Sequence, residues 1–129
     1  MEITPEIPQG RQVIESYGPG RFRISGVSHG GSVLVFPERT VTWPVAAWPV
    51  EEMAALSLEV FADVLAADPA VEILLIGCGP RLMPLPGALR TALRAQGIGC
   101  DVMDTGAACR TFNVLMAEAR RVAAALIAL

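Results

Sequence analysis

The sequence predicts an α/β domain in which an antiparallel N-terminal half precedes a parallel β-α-β unit. Three observations carry that prediction. The first is Ile73-Leu74-Leu75-Ile76-Gly77-Cys78-Gly79-Pro80, four branched apolar residues cut off by two glycines and a proline. Such a run calls for burial on both faces, as in an inner strand of a covered parallel sheet. The second is Gly99 to Met103, a further strand pattern reached after a helical stretch ending at Gly97-Ile98. The third is the alternation of Phe22 and Ile24 with Arg21, Arg23 and Ser25, which marks a half-buried antiparallel strand.

The elements follow in order. Residues 1–11, with Pro5 and Pro8, read as an extended arm, and residues 12–127 as the core of a single domain. Val13, Ile14 and Tyr17 lead into the turn Gly18-Pro19-Gly20. Gly26 to Gly31 reads as a loop and holds the only histidine, His29. Val33 to Phe36 is a buried strand ended by Pro37, and Arg39 to Trp43 alternates again, which completes an antiparallel meander. Ser57 opens a helix with Val60, Phe61, Val64 and Leu65 on one face, and Asp68-Pro69 closes it. Residues 71–76 are the buried strand. Pro86 suits a first helical position, Leu89, Ala92 and Leu93 continue a face, and Gly97-Ile98 supplies the stop. Residues 71–103 thus form a β-α-β unit, for which a right-handed crossover is expected. From about Ala107 a last helix is predicted to run to the end, since Phe112, Leu115, Met116, Ala119, Val122, Ala123, Leu126 and Ile127 fall at spacings of three and four.

Composition narrows the class. The 129 residues are 53% hydrophobic and 18% charged with a formal charge of −3, so a packed core is expected and nucleic-acid binding is not. Cys78, Cys100 and Cys109 are odd in number and show no paired spacing, so neither a disulfide nor a metal site is predicted. Met1 to Pro5 carries no basic region or apolar core, and no run is long enough for a membrane span. A cytoplasmic protein with no membrane insertion is the expectation.

The strand end at Gly77-Cys78-Gly79 is the place for chemistry, because ligands of open α/β sheets sit at the carboxyl ends of strands. A dinucleotide fingerprint fails here: Leu82 stands where a third glycine is needed, and Pro84 and Pro86 keep a helix from starting under the phosphates. What remains is a turn whose backbone amides lie bare, or glycines that merely serve a tight turn. Asp104-Thr105 ends the parallel strand 99–103 and opens a helix, where an anion would be favoured; simple capping explains the same pair. Thr111 and Asn113 follow, and Asn113 inside a helix needs a hydrogen-bond partner. Gly77, Cys78, Gly79, Asp104, Thr105, Thr111 and Asn113 are therefore the candidate ligand-binding residues. A nucleophilic Cys78 needs a base, and His29 is the only imidazole, in what reads as a distant loop. No catalytic residue and no cofactor or metal site is assigned. Glu118 is placed to pair with Arg121 along the helix, Glu51-Glu52 reads as solvated surface, and Trp43 and Trp48 are core plugs or partner contacts.

Several stretches resemble a known family. They include Gly20-Arg21-Phe22-Arg23-Ile24, Gly31-Ser32-Val33-Leu34-Val35, the 72–79 strand and turn, and above all Met103, Thr105, Arg110, Thr111, Phe112 and Asn113. They are similar to the Mth938-like family, small α/β domains of largely unknown function that include a mitochondrial assembly factor of NADH:ubiquinone oxidoreductase (complex I). Phe112 stands where that family more usually has tyrosine, and Cys78 where it has threonine. The resemblance implies a three-layer fold with a central mixed β-sheet flanked by helices and an accessory antiparallel layer from the N-terminal half. It implies no established catalysis and no cofactor. Two readings result. One is a non-enzymatic accessory or assembly-type domain acting through protein partners. The other is a small-molecule binding domain or enzyme, possessing an anion pocket at Gly77–Gly79 and the start of the last helix.

Overall fold

The computed structural model describes residues 10–47 and 56–129, so most of the predicted arm, Trp48 and Glu51-Glu52 lie outside the described residues. Two sheets are present. The smaller is antiparallel with order β1-β2-β3, formed by β1 (Ile14–Gly18), β2 (Arg21–Ile24) and β3 (Val27–Gly30). The larger has five strands in the order β5-β4-β8-β6-β7, built from β4 (Val33–Val35), β5 (Thr40–Thr42), β6 (Ile73–Gly77), β7 (Gly99–Met103) and β8 (Val122–Leu126). Three helices complete the chain: α1 (Ala62–Leu65), entered through a 3-10 turn at Leu58–Phe61, α2 (Gly87–Ala95) and α3 (Thr105–Ala117).

The predicted parallel pair joined by a helix is present, with the first strand at Ile73–Gly77 and not 71–76. β6 and β7 are parallel, Ile73 opposite Gly99, and α2 connects them. α2 ends where Gly97 takes a φ of +81°, its N–H donating to Arg94 O and that of Ile98 to Leu93 O. This is the Schellman arrangement that the Gly-Ile pair announces, and Ile98 and Leu93 are both buried behind it.

The N-terminal meander is corrected in two respects. It is divided between the sheets, because β4 leaves β3 to pair with β8. The segment read as a loop around His29 is strand β3, with His29 opposite Phe22. Ser25 and Gly26, both at positive φ, form the two-residue turn that joins β2 to β3, a geometry that matches the twist of paired strands.

The largest correction is the last element. Residues 122–126 are a strand at the centre of the sheet, antiparallel to β4 and parallel to β6, with all five residues buried. Alanine favours helices, and the 119–127 spacing is helical, but three small side chains in a row also suit a strand squeezed between two packed layers. The helix stops at Ala117, and Ala119 takes a φ of +61° as Arg120 N donates to Leu115 O and Ala119 N to Met116 O. The stop is thus the same Schellman motif as that of α2, with alanine where glycine is usual. The left-handed conformation costs an L-residue about 1–2 kcal/mol, partly offset by the greater unfolded freedom of glycine. Ala119→Gly is therefore expected to raise stability by about 0.5–1 kcal/mol, read as a higher urea midpoint at unchanged slope. The predicted Glu118–Arg121 pair is absent because the chain turns between them; Arg121 lies 3.7 Å from Glu38 and donates to Pro69 O instead.

The large sheet is buried on both faces, which makes three layers. Leu34, Leu74, Ile76, Ala123 and Ala125 point to one side, where they meet Trp43, Phe61, Val64, Leu89 and Leu93. Trp43 is a core residue there: its ring lies 5.5 Å from that of Phe61 and its Nε1 donates to Val60 O. Val33, Val35, Leu75, Ala124 and Leu126 point to the other side, against Phe22 and Ile24 of the small sheet and Ala108, Phe112 and Met116 of α3.

Candidate functional site

The carboxyl end of β6 brings together three elements: the Gly77–Gly79 turn, the first residue of α3 and the end of β8. Gly77 has no room for a side chain. A Cβ there would lie 2.9 Å from Thr105 Cα and 3.1 Å from both Ala108 Cβ and Leu126 Cδ2. This glycine allows α3 to rest directly on the sheet.

The amides that the sequence suggests are bare are used inside the protein. Cys78 N donates to Met103 O, and Gly79 N donates to the Thr105 hydroxyl at 2.9 Å. That hydroxyl donates onward to Ile127 O at 2.9 Å, Thr105 N donates to Gly79 O, and Ile127 N donates to Gly77 O. Thr105 has no exposed surface. One hydroxyl therefore ties the β6 turn to the end of β8, and the turn is closed from within. Asp104 caps α3, its Oδ1 accepting from Ala107 N at 2.8 Å.

The other candidates lie elsewhere. Asn113 sits eight residues beyond Thr105 on α3, about 12 Å along the axis. It grips β1: Nδ2 donates to Ile14 O at 2.8 Å and Oδ1 accepts from Ile14 N at 2.9 Å. Its partner is a strand backbone, satisfied as a neighbouring strand would satisfy it. Thr111 is half-buried and makes no side-chain hydrogen bond among the described residues. The structure thus joins Gly77, Cys78, Gly79, Asp104 and Thr105 in one turn and assigns Asn113 to a separate clamp.

Cys78 is fully buried in the core on the α1 and α2 side of the large sheet. Its Sγ lies 3.1 Å from Met103 O and 3.2 Å from Arg81 O, and accepts from Met83 N. His29 belongs to the small sheet, which packs on the opposite face. The two side chains are separated by the central sheet, which leaves Cys78 without an imidazole base. Burial raises all three thiols, Cys100 to about 11 and Cys109 to about 12 from the ordinary 9.0, and Cys78 in the same direction. All three are free. Two results are expected. Native protein at pH 8 should react with iodoacetamide far more slowly than unfolded protein, as counted by mass spectrometry. A thiol whose folded pKa is raised contributes stability below its unfolded value and loses it as pH climbs through the folded value. Stability should therefore fall as pH rises from about 9 towards 12, and Cys109→Ala should flatten that slope.

Tyr17 and Gly106, neither of them a site candidate from the sequence, complete the α3 surface beside Arg110 of the family run. Tyr17 of β1 lays its hydroxyl against Gly106, where any side chain would collide with it, and Arg110 stands beside them. The only sequence signal was a glycine in the first turn of a helix, a position it weakens. Tyr17 and, one turn beyond Arg110, Val114 are exposed.

A mixed five-stranded sheet, a second antiparallel layer and a strand-end turn locked by a helix's first residue define a small stacked-sheet α/β domain. The chain belongs to the family of proteins of unknown function DUF498/DUF598, whose model matches residues 14–127. An uncharacterised protein of Rhodobacter capsulatus is 37% identical over 92% of this chain and 86% of its own length. The NADH dehydrogenase (ubiquinone) 1 alpha subcomplex assembly factor 3 of Danio rerio is 36% identical over 89% of this chain, which spans 63% of that relative. Among solved structures, an outer membrane protein from Bartonella henselae superposes with a TM-score of 0.80 at 41% identity, covering 92% of this chain and 96% of that one. A Bordetella pertussis Mth938-like domain gives 0.78 at 28% identity, covering 98% and 92%. The resemblance drawn from the stretches between Gly20 and Asn113 is thereby shown. No helix among the described residues is long and apolar enough to cross a membrane.

Proposed function

We propose that this chain is a non-enzymatic accessory domain of the assembly type, acting in the cytoplasm through contacts with other proteins. The observation that carries the reading is the closed turn: the Gly79 amide and the Ile127 carbonyl both spend their hydrogen bonds on Thr105. An anion pocket at that strand end needs those groups free. Likeness to an assembly factor over most of this chain supports the assembly role. Three unbridged thiols fit a reducing compartment. Exposed Tyr17 and Val114, on elements that run side by side, supply surface for contacts.

The test is complementation of a deletion strain combined with affinity capture. Cys78→Ala and His29→Ala should both restore the wild-type phenotype, and tagged protein should retain a reproducible set of partners. Loss of function in either variant with folding intact, or capture of nothing beyond the untagged control, would overturn the reading.

A further inference from the structure

The small sheet has two edges, and only one is closed. On β1 the Asn113 side chain occupies both backbone groups of Ile14, and α3 packs alongside. On β3, the backbone of Val27–Gly30 pairs with β2 and, on its outer side, with nothing among the described residues. An open edge is a template for one more strand. What flanks that edge is distinctive. The outer face of the small sheet carries Arg21 and Arg23, side by side on β2, with Ser16 and Ser28 across from Arg23 and Gly18 and Gly30 across from Arg21. A groove of about 400 Å³ runs over Ser16, Tyr17, Arg21, Phe22, Arg23 and Ser28. Arg23 has one distant carboxylate, Glu15 at 3.9 Å, and Arg21 has none within ion-pair distance among the described residues. The Arg21 guanidinium lies over Gly18 of β1, and Ser28 and Gly30 are small, so β3 raises no wall against either arginine swinging towards a neighbouring strand. On the opposite face of β3, Val27 is 56% exposed beside buried Ile24.

We infer that β3 docks an extended segment of a partner protein in which acidic and apolar residues alternate. The added strand takes its backbone bonds from β3. Its acidic side chains lie over Ser28 and Gly30 towards Arg21 and Arg23, and its apolar side chains extend the core edge at Val27. Period-two alternation delivers both sets to the required faces. The inference rests on the protein-contact reading and names one surface and one partner chemistry for it.

The probe is an alternating Val-Glu decapeptide titrated into isotope-labelled protein, with a Val-Lys decapeptide as control. Expected are amide shifts centred on Val27–Gly30 and slowed hydrogen exchange there, with affinity falling as salt is raised and no binding of the lysine peptide. Arg21→Glu with Arg23→Glu should weaken binding by about tenfold or more, the exposed positions leaving the fold intact as judged from the variant's own spectrum. Ser28→Glu, a single charge on the edge, should weaken it independently. Shifts on another element, an affinity unchanged in the double variant, equal binding of the lysine peptide, or concentration-dependent dimers joined through β3 would each overturn the inference. Capture from cells separates the two proposals. If wild type and the double variant retain the same partners, the β3 surface fails and the protein-contact reading stands; if wild type retains none, the wider reading fails.

Discussion

Gly77→Ala is expected to destabilise the protein by about 2–3 kcal/mol, the largest effect of any single methyl added to the sheet. The new Cβ would meet the Thr105 Cα at 2.9 Å, and a backbone atom at the start of a packed helix cannot swing away as a side-chain tip would. Either α3 lifts from the sheet, loosening Ala108 and Phe112, or β6 bows and strains its pairing with β8. Gly99→Ala is the control, because its Cβ would find only Glu72 O, at an ordinary 3.6 Å. That variant should stay within about 1 kcal/mol of wild type. Urea unfolding of the two variants in parallel decides the matter, and equal midpoints would contradict the close-packing account.

Thr105→Val is expected to cost about 2–4 kcal/mol, although it changes neither shape nor volume appreciably. The valine leaves the Gly79 N–H and the Ile127 carbonyl buried without partners, at about 1–3 kcal/mol each. Thr105→Ser keeps the hydroxyl and loses one methyl, so it should cost about 1 kcal/mol. Hydrogen exchange supplies a local readout: the Gly79 amide should exchange faster in the valine variant than in the serine one. A valine variant as stable as wild type would mean that the turn is not held by this hydroxyl.

These two residues show how far the sequence could be read. Ile73 to Ile76 announced a buried parallel strand because branched side chains in a row have few other uses, and Gly97-Ile98 announced a helix end because glycine reaches positive φ freely. The same logic failed at Ala119, where the chain makes the same turn with the wrong residue. Without that stop, Val122 to Ile127 continued a helical spacing, and three alanines gave no β-branched signal against it. Ser25-Gly26 hid β3 in a similar way, since the glycines at 26 and 31 that suggested a loop only bracket a short strand. At the site, the meeting of Gly79 with Thr105 followed from parallel strands ending on one side. That the hydroxyl closes the turn did not follow, because its second partner, Ile127, lies on the strand that was misread. Asn113 plainly needed a partner, but Ile14 is 99 residues away and nothing local points to it.

The position of β8 has a consequence for biosynthesis. β4 and β6 are never neighbours; β4 pairs with β5 and β6 with β7, and the two pairs join only when residues 122–126 slide between them. While the ribosome is still decoding α3, each of these strands presents one raw edge to solvent, and the β-α-β unit waits as a half-sheet. The sheet is therefore completed only once Val122 to Leu126 are available, and truncation before Val122 should yield aggregates in place of a smaller stable domain. A holdase with affinity for exposed strands would find its substrate in that interval, between the emergence of β6 and the arrival of the strand that completes it.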